Sequence, residues 1–102
     1  MDEIIITKQP EGSKLIVAIE GRVDTKTAPQ LENEVFQSLD GVTELLLDLT
    51  GTSYISSAGL RVLLALYKIM HAKNGTYRLC NVNDTIRELI ELTGLTDFLT
   101  IE

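Results

Sequence analysis

From residue 45 onward the chain alternates short apolar runs with stretches of helical spacing, and each helical stretch ends in Asn or Gly. Leu45-Leu46-Leu47-Asp48-Leu49 is followed by a helical pattern from about Ser57 to Lys73, stopped at Asn74-Gly75. Tyr77 to Cys80 is a second run, Asn83 caps a further helix through Thr93 that Gly94 closes, and Phe98-Leu99-Thr100-Ile101 makes a last short strand. Strands and helices in alternation imply right-handed βαβ crossovers and local parallel pairing. The uninterrupted apolar character of residues 45–49 predicts a strand covered on both faces.

Upstream the pattern differs. Ile4-Ile5-Ile6 and Lys14-Leu15-Ile16-Val17-Ala18-Ile19 are β-branched runs separated by Pro10-Glu11-Gly12-Ser13, which reads as a hairpin. Thr27-Ala28-Pro29-Gln30 then reads as a helix start: Thr27 caps, Pro29 falls in the first turn, and Gln30 stands where a capping box places it. Ala28, Leu31, Val35 and Leu39 continue at helical spacing until Asp40-Gly41. The predicted fold is α/β, a mixed sheet packed with helices in the order ββαβαβαβ. No linker, repeat or low-complexity tract divides it, so residues 1–102 read as one domain.

Composition narrows the function classes. Nine basic residues against fifteen acidic give a net charge of −6, which argues against a nucleic-acid backbone as partner. The charge is uneven: residues 1–51 hold ten acids and four bases, residues 52–102 five of each, and no acid lies between Asp48 and Asp84. With no Trp and five Tyr plus Phe, there is little material for a base-stacking platform. The apolar stretch from Val62 to Tyr67 is too short to span a bilayer, and no signal peptide is expected. One cysteine, Cys80, forms no internal disulfide and reads as a small buried apolar residue; with no Cys/His cluster, neither metal nor cofactor is expected. A cytoplasmic module, simplest as a monomer, follows.

Enzymatic chemistry is poorly served. Asp48-Leu49-Thr50-Gly51-Thr52 approaches the phosphorylation motif of ion-pumping ATPases, but lacks its Lys, and 102 residues cannot hold such a pump. Ser57 lacks a nucleophile elbow, since Gly59 fits and Ile55 does not. The one histidine, His71, falls more than three turns further along the same predicted helix, roughly 20 Å at about 1.5 Å per residue, so it cannot act as base for Ser57. It reads as a packed or surface residue. Gly12, Gly51 and Gly59 form no phosphate-binding glycine motif.

Two features point to binding instead. On the middle helix, Leu60, Val62, Leu63, Leu64, Leu66, Tyr67, Ile69 and Met70 cover roughly 220° of the circumference, beyond the ~100° that faces a core. A neighbouring helix or a protein partner covers the surplus. Ahead of it, Tyr54-Ile55-Ser56-Ser57-Ala58-Gly59-Leu60 is a small-residue turn into the helix. Ser56 or Ser57 serves as N-cap and Gly59 allows close packing. A serine at a helix N-terminus is also a favourable place for a phosphate, and Arg61, one turn beyond Ser57, lies on the same face to pair with it.

At this turn the sequence resembles the anti-sigma-factor antagonist family, the bacterial members of the STAS domain class. Gly21-Arg22-Val23-Asp24 resembles the family's segment before the first helix, and residues 45–49 sit at its central strand. Residues 54–60 resemble its signature loop. Val82-Asn83, leading into Leu89-Ile90-Glu91-Leu92-Thr93-Gly94-Leu95, resembles its last helix and Gly-Leu exit. The four segments in order span nearly the whole chain. This chain has Ser56 where members often carry Asp, and Ala58 where they often carry Ser or Thr.

The resemblance implies a partner switch and no enzymatic activity. The unmodified protein sequesters an anti-sigma factor that is also a serine kinase, freeing a sigma factor for transcription. The kinase phosphorylates a loop serine, here Ser57, to release itself, and a serine phosphatase resets the system. Partner-binding residues are then Asp24, Ser56, Ser57, Ala58, Gly59 and Arg61. Asp24 is placed as a second contact beside the loop or as a turn cap. Two other classes remain open at this point: a constitutive STAS subunit of a transport or lipid-trafficking complex, and a small-ligand or nucleotide sensor.

Overall fold

The computed structural model describes residues 3–102. Two long strands, β1 (Ile5–Glu11) and β2 (Lys14–Val23), form the expected antiparallel hairpin, with Ile6 opposite Ile19; Pro10 and Glu11 pair with Leu15 and Lys14, so the turn narrows to Gly12 and Ser13. Helix α1 (Ala28–Phe36) precedes strands β3 (Glu44–Asp48) and β4 (Thr52–Ile55). Helix α2 (Ser57–Ala72), strand β5 (Thr76–Cys80), helix α3 (Asp84–Leu92), a single 3₁₀ turn (Leu95–Asp97) and strand β6 (Thr100–Ile101) complete the chain. The sheet runs β1-β2-β3-β5-β6, antiparallel at the hairpin and parallel elsewhere, so it is mixed as the alternation requires.

One strand was not announced by the sequence. β4 pairs not with its sequence neighbour β3 but with the far end of β2. β2 is therefore shared. Its residues 14–18 pair with β3, and beyond Gly21 it pairs with β4, Arg22 opposite Tyr54 and Val23 opposite Ile55. The register shifts at Gly21, where φ is 110° and a Cβ would stand 2.8 Å from the Glu3 carbonyl oxygen. Only glycine accepts that bend without strain.

The core lies on one face of the sheet. Leu15, Val17 and Ile19 of β2, Leu45 and Leu47 of β3, and Leu79 of β5 are buried with Leu31 and Val35 of α1, Leu63, Leu66 and Met70 of α2, and Ile86 and Ile90 of α3. The alternate residues, Ile16, Leu46, Asp48, Arg78 and Cys80, are only half-buried. β3 is thus covered on one face, not both. Cys80 is likewise half-buried on the second face, where burial and the nearby Asp48 and Glu102 carboxylates push its thiol pKa up. That face carries ion pairs: Arg78 binds Glu44 and Glu102 at 2.6 Å each, and Lys14 lies 3.8 Å from Glu44.

Two local expectations change. Thr27 does not cap α1 with its side chain; its hydroxyl donates to Arg22 O at 2.6 Å and accepts from Asp24 N at 2.9 Å. Gln30 reaches forward to Glu34 rather than back, so no capping box forms. Asp24 instead closes the turn ahead of the helix, its Oδ1 accepting from the backbone N–H of Lys26 and Thr27. The Thr27 hydroxyl is committed to Arg22 O and Asp24 N, which leaves the first turn of α1 without a side-chain cap. The last strand is two residues long, because Phe98 N and Leu99 N bond back to Leu95 O at the end of the 3₁₀ turn.

Most of the apolar arc of α2 is accounted for within the fold. Leu60, Val62, Leu63, Leu66 and Met70 are buried, and α1 packs beside them. Tyr67 is met edge-on by Phe98, and Tyr77 donates its hydroxyl to Leu63 O at 3.0 Å. Leu64 and Ile69 stay half-buried.

Candidate functional site

β2 and β4 end side by side and both chains leave the sheet at the same edge, β2 toward α1 and β4 into α2. Crevices beyond the carboxyl ends of parallel strands, where neighbouring connections diverge, are common binding positions. The sequence-predicted residues meet here. Ser56 N donates to Val23 O at 2.8 Å, tying the α2 loop to the residue before Asp24.

Ser56 is the N-cap of α2, in extended conformation, with its side chain accepting from Gly59 N at 3.4 Å and its carbonyl accepting from Leu60 N at 2.9 Å. Every helix start leaves its first N–H groups without intrahelical partners. Here Ser56 N and Gly59 N are used locally, which leaves those of Ser57 and Ala58. Gly59 is the contact point: a Cβ there would stand 2.7 Å from Ile55 Cγ2, 2.8 Å from Val23 Cγ1 and 3.0 Å from Val23 O. The absence of a side chain lets α2 start flush against both strands.

Ser57 is exposed, and its hydroxyl makes no hydrogen bond among the described residues. Ala58 is half-buried. Arg61 is exposed and makes no ion pair among the described residues. A groove of about 320 Å³ runs between the α1 and α2 starts, lined by Thr25, Ala28, Glu32, Ala58 and Arg61 among others.

Asp24 is half-buried and its carboxyl is held below the ordinary value of 3.8. The principal cause is the Thr27 backbone N–H; the Lys26 N–H, the Thr27 hydroxyl and the Arg22 charge act the same way, against some desolvation. Arg22 lies 3.9 Å from Asp24 and stacks over the Tyr54 ring, 4.5 Å from its centroid. Arg22 and Tyr54 were not singled out in the sequence. They are brought together by the β2–β4 register, which no local pattern reveals.

His71 lies at the opposite end of α2, stacked on Tyr67 with ring centroids 5.3 Å apart, so it offers Ser57 no base. Among the described residues no three His, Cys, Asp or Glu side chains cluster in a way that could hold a metal ion. Among the described residues no helix is long and apolar enough to cross a membrane. What the arrangement presents is a loop with, among the described residues, a free Ser57 hydroxyl, two free first-turn N–H groups and a nearby guanidinium.

The STAS domain family model matches residues 4–102. The chain belongs to the STAS domain family. BtrV of Bordetella bronchiseptica is 40% identical to this STAS chain over 88 residues, covering 85% of it and 73% of BtrV. The anti-sigma-B factor antagonist of Listeria monocytogenes is 31% identical over 104 residues, covering all of this chain and 90% of the relative. Among solved structures, an anti-sigma factor antagonist from Mycobacterium paratuberculosis superposes with a TM-score of 0.89 at 27% identity, covering 98% of this STAS chain and 86% of the other.

Proposed function

We propose that this STAS chain is an anti-sigma factor antagonist: a cytoplasmic, non-enzymatic binding module that sequesters an anti-sigma factor with serine-kinase activity and so releases a sigma factor. Phosphorylation of Ser57 switches it off, and a serine phosphatase restores it. The observation that carries this reading is the exposed, unbonded Ser57 hydroxyl at the first turn of α2, in a chain matched over its whole length by the Listeria antagonist.

The physical basis is local. A phosphate adds about −1.5 to −2 charges at neutral pH. The α2 N-terminus stabilises that charge in the free protein through its dipole and free N–H groups. In a complex of the usual ~1,600 Å² total, the same phosphate is taken out of water against a partner surface shaped for a hydroxyl, at a cost of several kcal/mol. Asp24, Ser56, Ala58, Gly59 and Arg61 surround Ser57 and form the rest of the contact.

The test mixes purified wild type, Ser57→Ala and Ser57→Asp with anti-sigma factors of the same organism and measures affinity, then adds ATP. Wild type and Ser57→Ala bind one of them, Ser57→Asp binds at least about tenfold more weakly, and ATP releases wild type alone. Equal binding by all three proteins, unaffected by ATP, refutes the switch and leaves a constitutive scaffold.

A further inference from the structure

A second groove opens on the other side of the strand that delivers Ser57. Asn83 fixes α3 against β4: its Nδ2 donates to Thr52 O at 3.1 Å while its Oδ1 accepts from Ile86 N at 2.8 Å. Between strand and helix lies a cavity of about 280 Å³ with the buried Ile55 and Ile86 in its lining, together with Tyr54, Glu88, Leu89 and Leu92. Leu92 is 78% exposed and Tyr54 39%, so the apolar lining continues out to the rim.

Helical spacing explains the layout. Ile86 and Ile90 point to the core, and Thr85, Leu89 and Leu92 fall at i, i+4 and i+7 along the groove. Asp84, Glu88 and Glu91 fall at the same spacing on the adjacent stripe, are exposed, and make no ion pair among the described residues. On the strand side, Arg22 is already occupied by the Tyr54 ring and by Asp24. The groove is therefore apolar inside and acidic along its helix edge.

We propose that this groove receives an apolar side chain from a segment of the anti-sigma factor that carries Lys or Arg beside it. The proposal rests on the antagonist reading above and names a second anchor for the same partner. Charge selects the occupant: an unpaired acidic stripe beside an apolar slot favours a basic flank and repels an acidic one. Continuity does the rest. Ile55 lines the groove, lies against Gly59 and precedes Ser57 by two residues. A partner covering the usual ~800 Å² of one protein, about one seventh of the 5671 Å² surface, and centred on Ser57 reaches Tyr54 and α3.

The experiment measures the affinity of the anti-sigma factor for wild type, Leu92→Asp, Glu88→Lys and, as a remote control on exposed β1, Glu11→Lys. Thermal melts by circular dichroism check that each folds; Leu92 and Glu88 are exposed, so stability changes little. Leu92→Asp weakens binding by about tenfold, because it sets an unpaired charge against the apolar side chain in the slot. Glu88→Lys weakens it by a few-fold and flattens its salt dependence, while Glu11→Lys stays within about twofold. Wild-type binding with Leu92→Asp and Glu88→Lys unchanged overturns the groove and leaves the antagonist reading standing. No binding by wild type removes that reading and the groove with it. Concentration-dependent self-association of the chain alone, abolished by Leu92→Asp, makes the groove an interface between copies and overturns the proposal.

Discussion

Replacing Gly59 by alanine sets two effects of opposite sign against each other. In a helix, alanine is favoured over glycine by up to about 1 kcal/mol, because the unfolded chain loses less freedom. Against that, the new Cβ meets Ile55 Cγ2 at 2.7 Å, Val23 Cγ1 at 2.8 Å and the Val23 carbonyl oxygen at 3.0 Å. Neither side chain has room to turn away: Val23 and Ile55 are each 1% exposed. Both are β-branched, with few alternative rotamers, and the third contact is backbone. Overpacking of this kind costs about 1–3 kcal/mol, so the clash wins and the net loss is roughly 1 kcal/mol. For a chain of this size that is a fall in Tm of about 4–8 °C, with an unchanged urea m-value. The strain also pries α2 from β2, so the Ser56 amide, now bonded to Val23 O, exchanges faster with solvent deuterium. A Tm equal to or above wild type would refute the reasoning, since it would mean that the strands yield and propensity decides.

Thr27 is 3% exposed and bonds Arg22 O and Asp24 N through one hydroxyl; Thr27→Val leaves both groups unpaired and lowers stability by about 1–3 kcal/mol, read as a shift in urea midpoint. Asp24 and Asp48 both have pKa values held below 3.8, the first chiefly by the Thr27 backbone N–H and the second by the Thr50 hydroxyl. The native state therefore gains from their ionisation; that stability is present in full above the unfolded-chain value and drains away as pH falls through the lower native values. Melts between pH 6 and pH 2 show the loss below about pH 4, and Asp48→Asn makes the fall shallower. Arg61→Ala removes the guanidinium on the phosphate's side of α2, so the ratio of unphosphorylated to phosphorylated affinity for the anti-sigma factor widens; an unchanged ratio takes Arg61 out of the switch.

What the sequence revealed was whatever a single segment decides. The cap at Ser56 or Ser57 needs only residues 56–60, and the structure settles it on Ser56; the close packing expected at Gly59 also stands, though it is made partly by Val23 on β2. β4 escaped because its four residues bury Thr52 and Ile55 and expose Ser53 and Tyr54, a pattern with no alternation, and because its partner lies some thirty residues upstream. Leu46 misled in the other direction. A lone leucine on a half-solvated face is cheap, so a run of leucines does not prove cover on both sides. At the α1 start, Asp24-Thr25-Lys26-Thr27 offers two capping side chains, and spacing alone cannot choose between them. Neither caps the helix: the Thr27 hydroxyl is needed to satisfy Arg22 O and Asp24 N, and the carboxylate closes the turn at Lys26 and Thr27. The α3 groove was illegible for the same reason as β4: Asn83 ties two segments that are thirty-one positions apart.

Adjacent serines make the proposed switch unusually easy to interrogate. Ser56 is half-buried, with its N–H committed to Val23 O and its side chain to Gly59 N, so a kinase modifying it must first dismantle the α2 cap. Loss of such a cap costs about 1 kcal/mol. Ser57 carries none of these obligations: its hydroxyl is exposed and makes no hydrogen bond among the described residues, and the phosphate it would bear meets the α2 dipole and Arg61. Ser57→Ala therefore abolishes phosphate incorporation by the partner kinase. Ser56→Ala keeps it while losing the cap, and shows a Tm lower by a few degrees. Incorporation that survives in Ser57→Ala and vanishes in Ser56→Ala would reverse the assignment, and would require the first turn of α2 to open in the kinase complex.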